Sequence, residues 1–231
     1  MTNTSRIGSA AVWGLAAAAM TPSLSIGLAG EENANRAPTG EVEFQKQKWV
    51  SYADKAEVTK YKDKDALHVT TKTGGMVMLD GVSFGDGTIE CDIAKGPFTG
   101  IFFRAADAQH ADCVYFRPQN AVPGAKALDG TPGRDRVVQY VAWGDPKTEW
   151  AYLRKTFPGK YEAYAGVPGD GWFHVRLEIK GRQVTVFVND AKEPCLTVEE
   201  TLQENRKGKI GLWAWDGYFS NFAFKPSEDG K

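Results

Sequence analysis

Cysteine, histidine and methionine are scarce in this chain, at three, three and four in 231 residues. None of the cysteines, Cys91, Cys113 and Cys195, stands in a CxxC pair, so the thiolate pairs of structural zinc are missing. No metal or cofactor is expected, with a structural Ca²⁺ left open. An odd number of thiols leaves at least one free. Cys91 and Cys113 fall on strands read as two apart in a meander, about 10 Å, which exceeds the reach of a disulfide. Three buried or half-buried thiols are therefore expected. An excess of one charge is missing too. With 28 basic and 29 acidic side chains the net charge is −1, and no footprint for a nucleic-acid backbone appears. No Ser-His-Asp order, phosphate-cradling glycine loop or nucleotide fingerprint occurs in a supporting strand-turn-helix context. Helical periodicity is nearly absent, there is no internal repeat, and beyond the N-terminus no apolar run is long enough to span a membrane.

What is present begins with an N-terminal pattern. Arg6 precedes an apolar run over 7–20, and small residues end at Gly27-Leu28-Ala29. Residues 1–29 read as a secretory signal, which implies an exported protein, periplasmic or extracellular. A retained anchor is the alternative, since one Arg makes a weak basic region and Pro22 interrupts the segment. Residues 30–40 read as a linker, 41–226 as one folded domain and 227–231 as a polar tail; a monomer without a membrane span is expected.

Glycine (25) and aromatic residues (7 Trp, 8 Tyr, 12 Phe) are plentiful, as in turn-rich β structure. From residue 81 onward apolar and polar residues alternate with a period of two, the mark of strands with two unlike faces. Ile89, Cys91 and Ile93 stand opposite Glu90 and Asp92. Ile101 and Phe103 oppose Phe102 and Arg104, Val114 and Phe116 oppose Tyr115 and Arg117, and Val138 and Tyr140 oppose Gln139 and Trp143. Phe173, Val175, Leu177 and Ile179 oppose Trp172, His174, Arg176 and Glu178, and a turn at Lys180-Gly181-Arg182 leads to Val184, Val186 and Val188. Ile210, Leu212 and Ala214 mark a late strand and 218–224 a last one. Fainter strands lie at 42–44, 56–59, 66–70 and 76–79; only 198–203 resembles a helical turn. About a dozen strands make an all-β chain of two packed antiparallel sheets.

Several strings carry a family likeness: Tyr115-Phe116-Arg117-Pro118, Val138-Gln139-Tyr140, 158–162, Gly171-Trp172-Phe173-His174, Val186-Phe187-Val188-Asn189 and Gly208-Lys209-Ile210-Gly211-Leu212-Trp213. They resemble the exported bacterial 3-keto-disaccharide hydrolase-like domains of the concanavalin A-like lectin and glucanase superfamily, over roughly 81–224. The resemblance implies a jelly-roll sandwich with one concave sheet and a saccharide or glycan as ligand, and it transfers fold better than function. Laminarinase-like glucanases of this superfold carry a Glu-x-Asp strand motif followed by a second Glu. Here Glu90 and Asp92 are followed by Ala94 and Lys95. Retaining hydrolysis needs two carboxyl groups about 5–5.5 Å apart, so this type of catalysis loses its acid/base, and a solvated strand face is the expectation for Glu90 and Asp92.

Sugars need flat aromatic faces and fixed donors. Arg104, Tyr115, Arg117, Gln139 and Trp143 share the non-aliphatic half-faces and form the first set of ligand-binding candidates; the competing reading is an ordinary polar sheet face. The segment 145–170 brings Trp150, Tyr161 and Glu162 without strand alternation and is expected as a loop over the groove, or as a loop plugged by Trp150 and Tyr161. A second insertion, 119–136, should flank the same mouth and keeps Arg134 and Arg136 basic. His174 completes the candidate pocket, and His174 and Glu162 are the candidates for acid/base chemistry. Three functions remain open: saccharide binding, a hydrolase or lyase acting on keto-disaccharides, and a non-catalytic cell-envelope interaction domain.

Overall fold

The computed structural model describes residues 37–108, 110–127, 130–204 and 207–228. The signal read over 1–29 lies outside them, as do the end of the tail and most of the linker. The strands are β1 (Gly40–Phe44), β2 (Gln47–Ser51), β3 (Lys55–Tyr61), β4 (Lys64–Leu79), β5 (Gly87–Ala94), β6 (Thr99–Ala105), β7 (Ala111–Phe116), β8 (Val138–Trp143), β9 (Glu162–Ala163), β10 (Trp172–Lys180), β11 (Gln183–Val188), β12 (Leu196–Val198) and β13 (Lys209–Pro226). Among the described residues one α-helix, α1 (Trp150–Thr156), lies between β8 and β9.

All named pairs are antiparallel, in the order β12-β11-β10-β5-β13-β6-β7-β8-β9, with β4 beside β13 and carrying β3 and β2-β1. The long strands β4 and β13 join two layers. β13 pairs with β6 through its first half and with β5 through its second, and its pairing with β4 shifts register between Ala214 and Asp216. The 210–214 and 218–224 segments, which alternation separates, are thus one strand bent by irregular pairing. We call the two halves the β5 layer and the β7 layer. They face each other through the aliphatic half-faces: Phe116 meets Phe173 at 5.2 Å between ring centroids, and Ile89, Ile93, Val114, Tyr140, Val175 and Leu212 are fully buried. This is the two-sheet antiparallel jelly-roll sandwich. Every alternation named above has its aliphatic members in this core, because burying that half-face is the main gain of folding.

Two expectations are corrected. The 198–203 segment forms no helical turn: Leu196–Val198 is strand β12, and Thr201 N–H bonds to the Arg182 carbonyl. The 145–170 segment has structure of its own, since Leu153 of α1 is buried at 1% exposure and the helix packs against β8. All three cysteines are free thiols; Cys91 and Cys113 are fully buried, and burial pushes both well above the ordinary thiol range.

Candidate functional site

Strands β6 and β7 are buried on both faces, and β8 nearly so. The outer face of the β7 layer is therefore not a solvated sheet surface. Register builds it in rows: Trp213, Gly100, Tyr115, Gln139 and Glu162 lie side by side across β13, β6, β7, β8 and β9. Gly100 has no side chain to separate Tyr115 from Trp213, whose rings meet edge to face at 5.5 Å. A Cβ there would lie 2.5 Å from the Val114 carbonyl oxygen, so only glycine fits. Phe98, Phe102, Trp143 and Trp215 complete an aromatic cluster, with Trp143 at 5.7 Å from Trp213 and Phe98 at 4.6 Å from Trp215.

The polar groups of this face are fixed by one another. The Tyr115 hydroxyl donates to Gln139 Oε1 at 2.7 Å, which turns the amide nitrogen away. Burial pushes the Tyr115 phenol upward, so it stays protonated as a donor. The Arg117 guanidinium lies 5.4 Å from the Tyr115 ring centroid and its Nη2 reaches Glu162 Oε2 at 3.3 Å. Arg154 grips the same carboxylate in a fork, Nε to Oε1 at 2.9 Å and Nη2 to Oε2 at 2.7 Å, and Arg136 Nε stands 3.8 Å from Oε1. Such bidentate pairs fix geometry as well as charge. Gln139 Nε2, Arg117 Nε, Trp213 Nε1 and Trp215 Nε1 are buried and have no hydrogen-bond partner among the described residues.

Of the residues expected at one pocket, Tyr115, Arg117, Gln139 and Trp143 share this face, with Glu162 beside them. Trp150 lies at the start of α1, its ring 5.0 Å from the Arg154 guanidinium. Three do not join. Arg104 has a left-handed backbone (φ 53°) beside a register shift in the β13 pairing, and its side chain turns to Asp86 Oδ1 at 2.7 Å and the Gly85 carbonyl at 3.2 Å. Tyr161 is buried 5.7 Å from Tyr140, whose side chain points into the core. His174 lies in the other layer, on its outer face, where Nδ1 is 2.7 Å from Asp92 Oδ1. Asp92 is only 6% exposed, which corrects the expectation of a solvated carboxylate. Phe98, Phe102, Trp213 and Trp215 were not among the expected residues. The inward reading of Leu212 and Ala214 already puts Trp213 on the opposite face.

A carbohydrate-binding module of family 66 from Bacillus subtilis superposes with a TM-score of 0.52 and 14% identity, over 77% of this chain and 94% of that one. A glycoside hydrolase family 16 endo-glucanase from Bacteroides ovatus reaches 0.43 at 11% identity, over 71% of each chain. The first likeness shows a shared fold. No curated protein sequence matches the chain. The sequence pattern of the 3-keto-alpha-glucoside-1,2-lyase-like domain matches residues 43–225, through both layers and the strands that carry the buried donors, and the chain belongs to that family.

Proposed function

We propose that the outer face of the β7 layer holds a saccharide carrying a keto group, and that the protein cleaves such glycosides by elimination. The observation that carries this reading is the set of buried donors, Gln139 Nε2, Arg117 Nε, Trp213 Nε1 and Trp215 Nε1. An unpaired buried donor costs about 1–3 kcal/mol, and a ligand rich in acceptor oxygens removes that cost. The aromatic cluster supplies flat apolar surface for sugar C–H groups. In a 1,2-elimination from a 3-keto glycoside a base removes the proton at C2, the electron pair forms the C1–C2 double bond, and the aglycone leaves C1 with a proton. Charge gathers on the keto oxygen as C2 loses its proton, and donors fixed before reaction favour that state. Glu162, gripped by Arg154, holds the Arg117 guanidinium in place.

Incubation with a 3-keto disaccharide tests the reading. Wild type is expected to release an unsaturated keto sugar that absorbs in the ultraviolet, and Gln139→Ala to lose about a hundredfold in rate, as for one lost oxyanion donor. Binding by calorimetry without turnover would favour a second reading, saccharide binding alone. The engagement of both Glu162 oxygens by arginines supports it. Neither binding nor turnover would remove both. The apolar run over 7–20 supports export. N-terminal sequencing of the protein from a periplasmic or medium fraction should show cleavage after Ala29.

A further inference from the structure

The outer face of the β5 layer carries a different arrangement. Two adjacent rows cross it. In one, Trp172, Ala94, Tyr218 and His68 lie side by side across β10, β5, β13 and β4. In the next stand His174, Asp92 and Ser220. Ala94 leaves space between Trp172 and Tyr218, and Tyr61, at the end of β3, fills it. Its ring stacks on Tyr218 at 4.0 Å and meets Trp172 edge-on at 5.7 Å, and Tyr218 stacks in turn on His68 at 4.2 Å. The result is a half-buried stack of Tyr61, Tyr218 and His68 with Trp172 edge-on at its end.

Beside it, Asp92 accepts from His174 Nδ1 at 2.7 Å, Lys64 Nζ at 2.6 Å and Asn221 Nδ2 at 2.6 Å. Asn221 takes a left-handed backbone (φ 48°) inside the register shift between Ser220 and Ala223, and that irregularity aims its amide at Asp92. Asn189, also left-handed (φ 56°), accepts from the His174 backbone N–H at 3.2 Å. Asp92 thus holds the imidazole through Nδ1, and Asn189 fixes the backbone that carries it. Its Nε2 has no partner among the described residues, and the side chain is 35% exposed. The charges cancel in pairs: Lys64 with Asp92, Lys95 with Asp216 at 2.7 Å and Lys62 with Asp170 at 3.6 Å. A charged ligand would have to compete with these pairs, whereas a polyhydroxyl ligand finds the half-buried Trp172 ring for a C–H patch and fixed donors and acceptors for its hydroxyls.

We propose that the outer face of the β5 layer is a second saccharide site, centred on Trp172 and His174, that takes a neutral glycan chain on the side of the sandwich opposite Gln139 and Trp213. Both its position and its ligand lie beyond the keto-sugar reading, and it stands if that reading fails.

Affinity electrophoresis of the intact protein in gels holding dextran, laminarin, soluble starch or hydroxyethylcellulose tests it. Wild type should be retarded by at least one of these neutral polymers. Trp172→Ala should weaken the retardation about tenfold, as for an aromatic anchor. His174→Gln, which keeps the size of the side chain, should weaken it less and leave the melting temperature near that of wild type. Gln139→Ala should be retarded like wild type. No retardation of wild type by any polymer overturns the proposal, as does retardation that survives both Trp172→Ala and His174→Gln or that Gln139→Ala abolishes.

Discussion

The two outer faces of this sandwich carry similar residues, aromatic rings with arginine or lysine and amide or imidazole groups, but differ in how their polar atoms are satisfied. On the β7 layer Gln139 is fully buried and its amide nitrogen is unpaired, while three arginines gather on one carboxylate. On the β5 layer His174 is partly open and each lysine has its own acid. The difference follows from covering. α1 packs against β8 of the β7 layer, and Gln139 Nε2, Arg117 Nε and the Trp213 and Trp215 indole nitrogens are shut from water without a protein acceptor among the described residues. Among the described residues no helix lies on the β5 face, which settles its charges in local pairs. On the two proposals, the face that keeps buried donors unpaired takes its ligand through those donors, and the one with balanced charge and half-buried rings takes it by shape and stacking.

The largest effect that would break this contrast is expected from Glu162→Ala. It strips the shared carboxylate from Arg117 and Arg154, both largely buried, and should cost about 3–5 kcal/mol in urea unfolding. A loss below 1 kcal/mol would mean that this cluster is solvated like the other face. Next comes Asp92→Asn, expected to cost about 1–3 kcal/mol at pH 7 because Lys64 and His174 lose a buried charged acceptor. The pH dependence sharpens it. Burial works against ionisation of Asp92, but hydrogen bonds from Lys64, His174 and Asn221 outweigh it and hold the carboxyl below its usual range. Stability from a depressed carboxyl is present in full above the unfolded value, about 4, and is lost as pH falls through the folded one. The gap in urea midpoint between wild type and Asp92→Asn should therefore close as the medium is acidified below about pH 4. The smallest effect is expected from Tyr61→Phe. It removes the hydroxyl that donates to exposed Asp170, which should leave the urea midpoint close to that of wild type, and keeps the ring stack in place. Ultraviolet titration of wild type should show one phenol, absent in Tyr61→Phe, ionising at about 12, pushed up by burial and by Asp170.

Much of the face assignment was legible in the chain. Alternation separated Val114 and Phe116 from Tyr115, and Val138 and Tyr140 from Gln139 and Trp143, because a strand fixes parity residue by residue. His174 was grouped with Gln139 because both stand opposite aliphatic neighbours, yet parity does not say which layer a strand joins. Arg104 left its expected face because a left-handed residue beside a register shift reverses the local direction of the side chain. Lys64, Tyr61 and Asn221 escaped notice because they reach Asp92 and Tyr218 from strands far away in sequence or through a bulge.

The sequence by itself determined the all-β sandwich, the aliphatic core and the pairing of unlike half-faces, since these rest on a period of two and on burial of one side of each strand. Only the tertiary structure decided that the β7 outer face is covered, that Glu162 is the shared partner of its arginines, and that Asp92 is buried beneath His174, Lys64 and Asn221. Those outcomes depend on where β4 and β13 bend between layers and on where α1 comes to rest, which are set by long-range packing rather than by any local pattern.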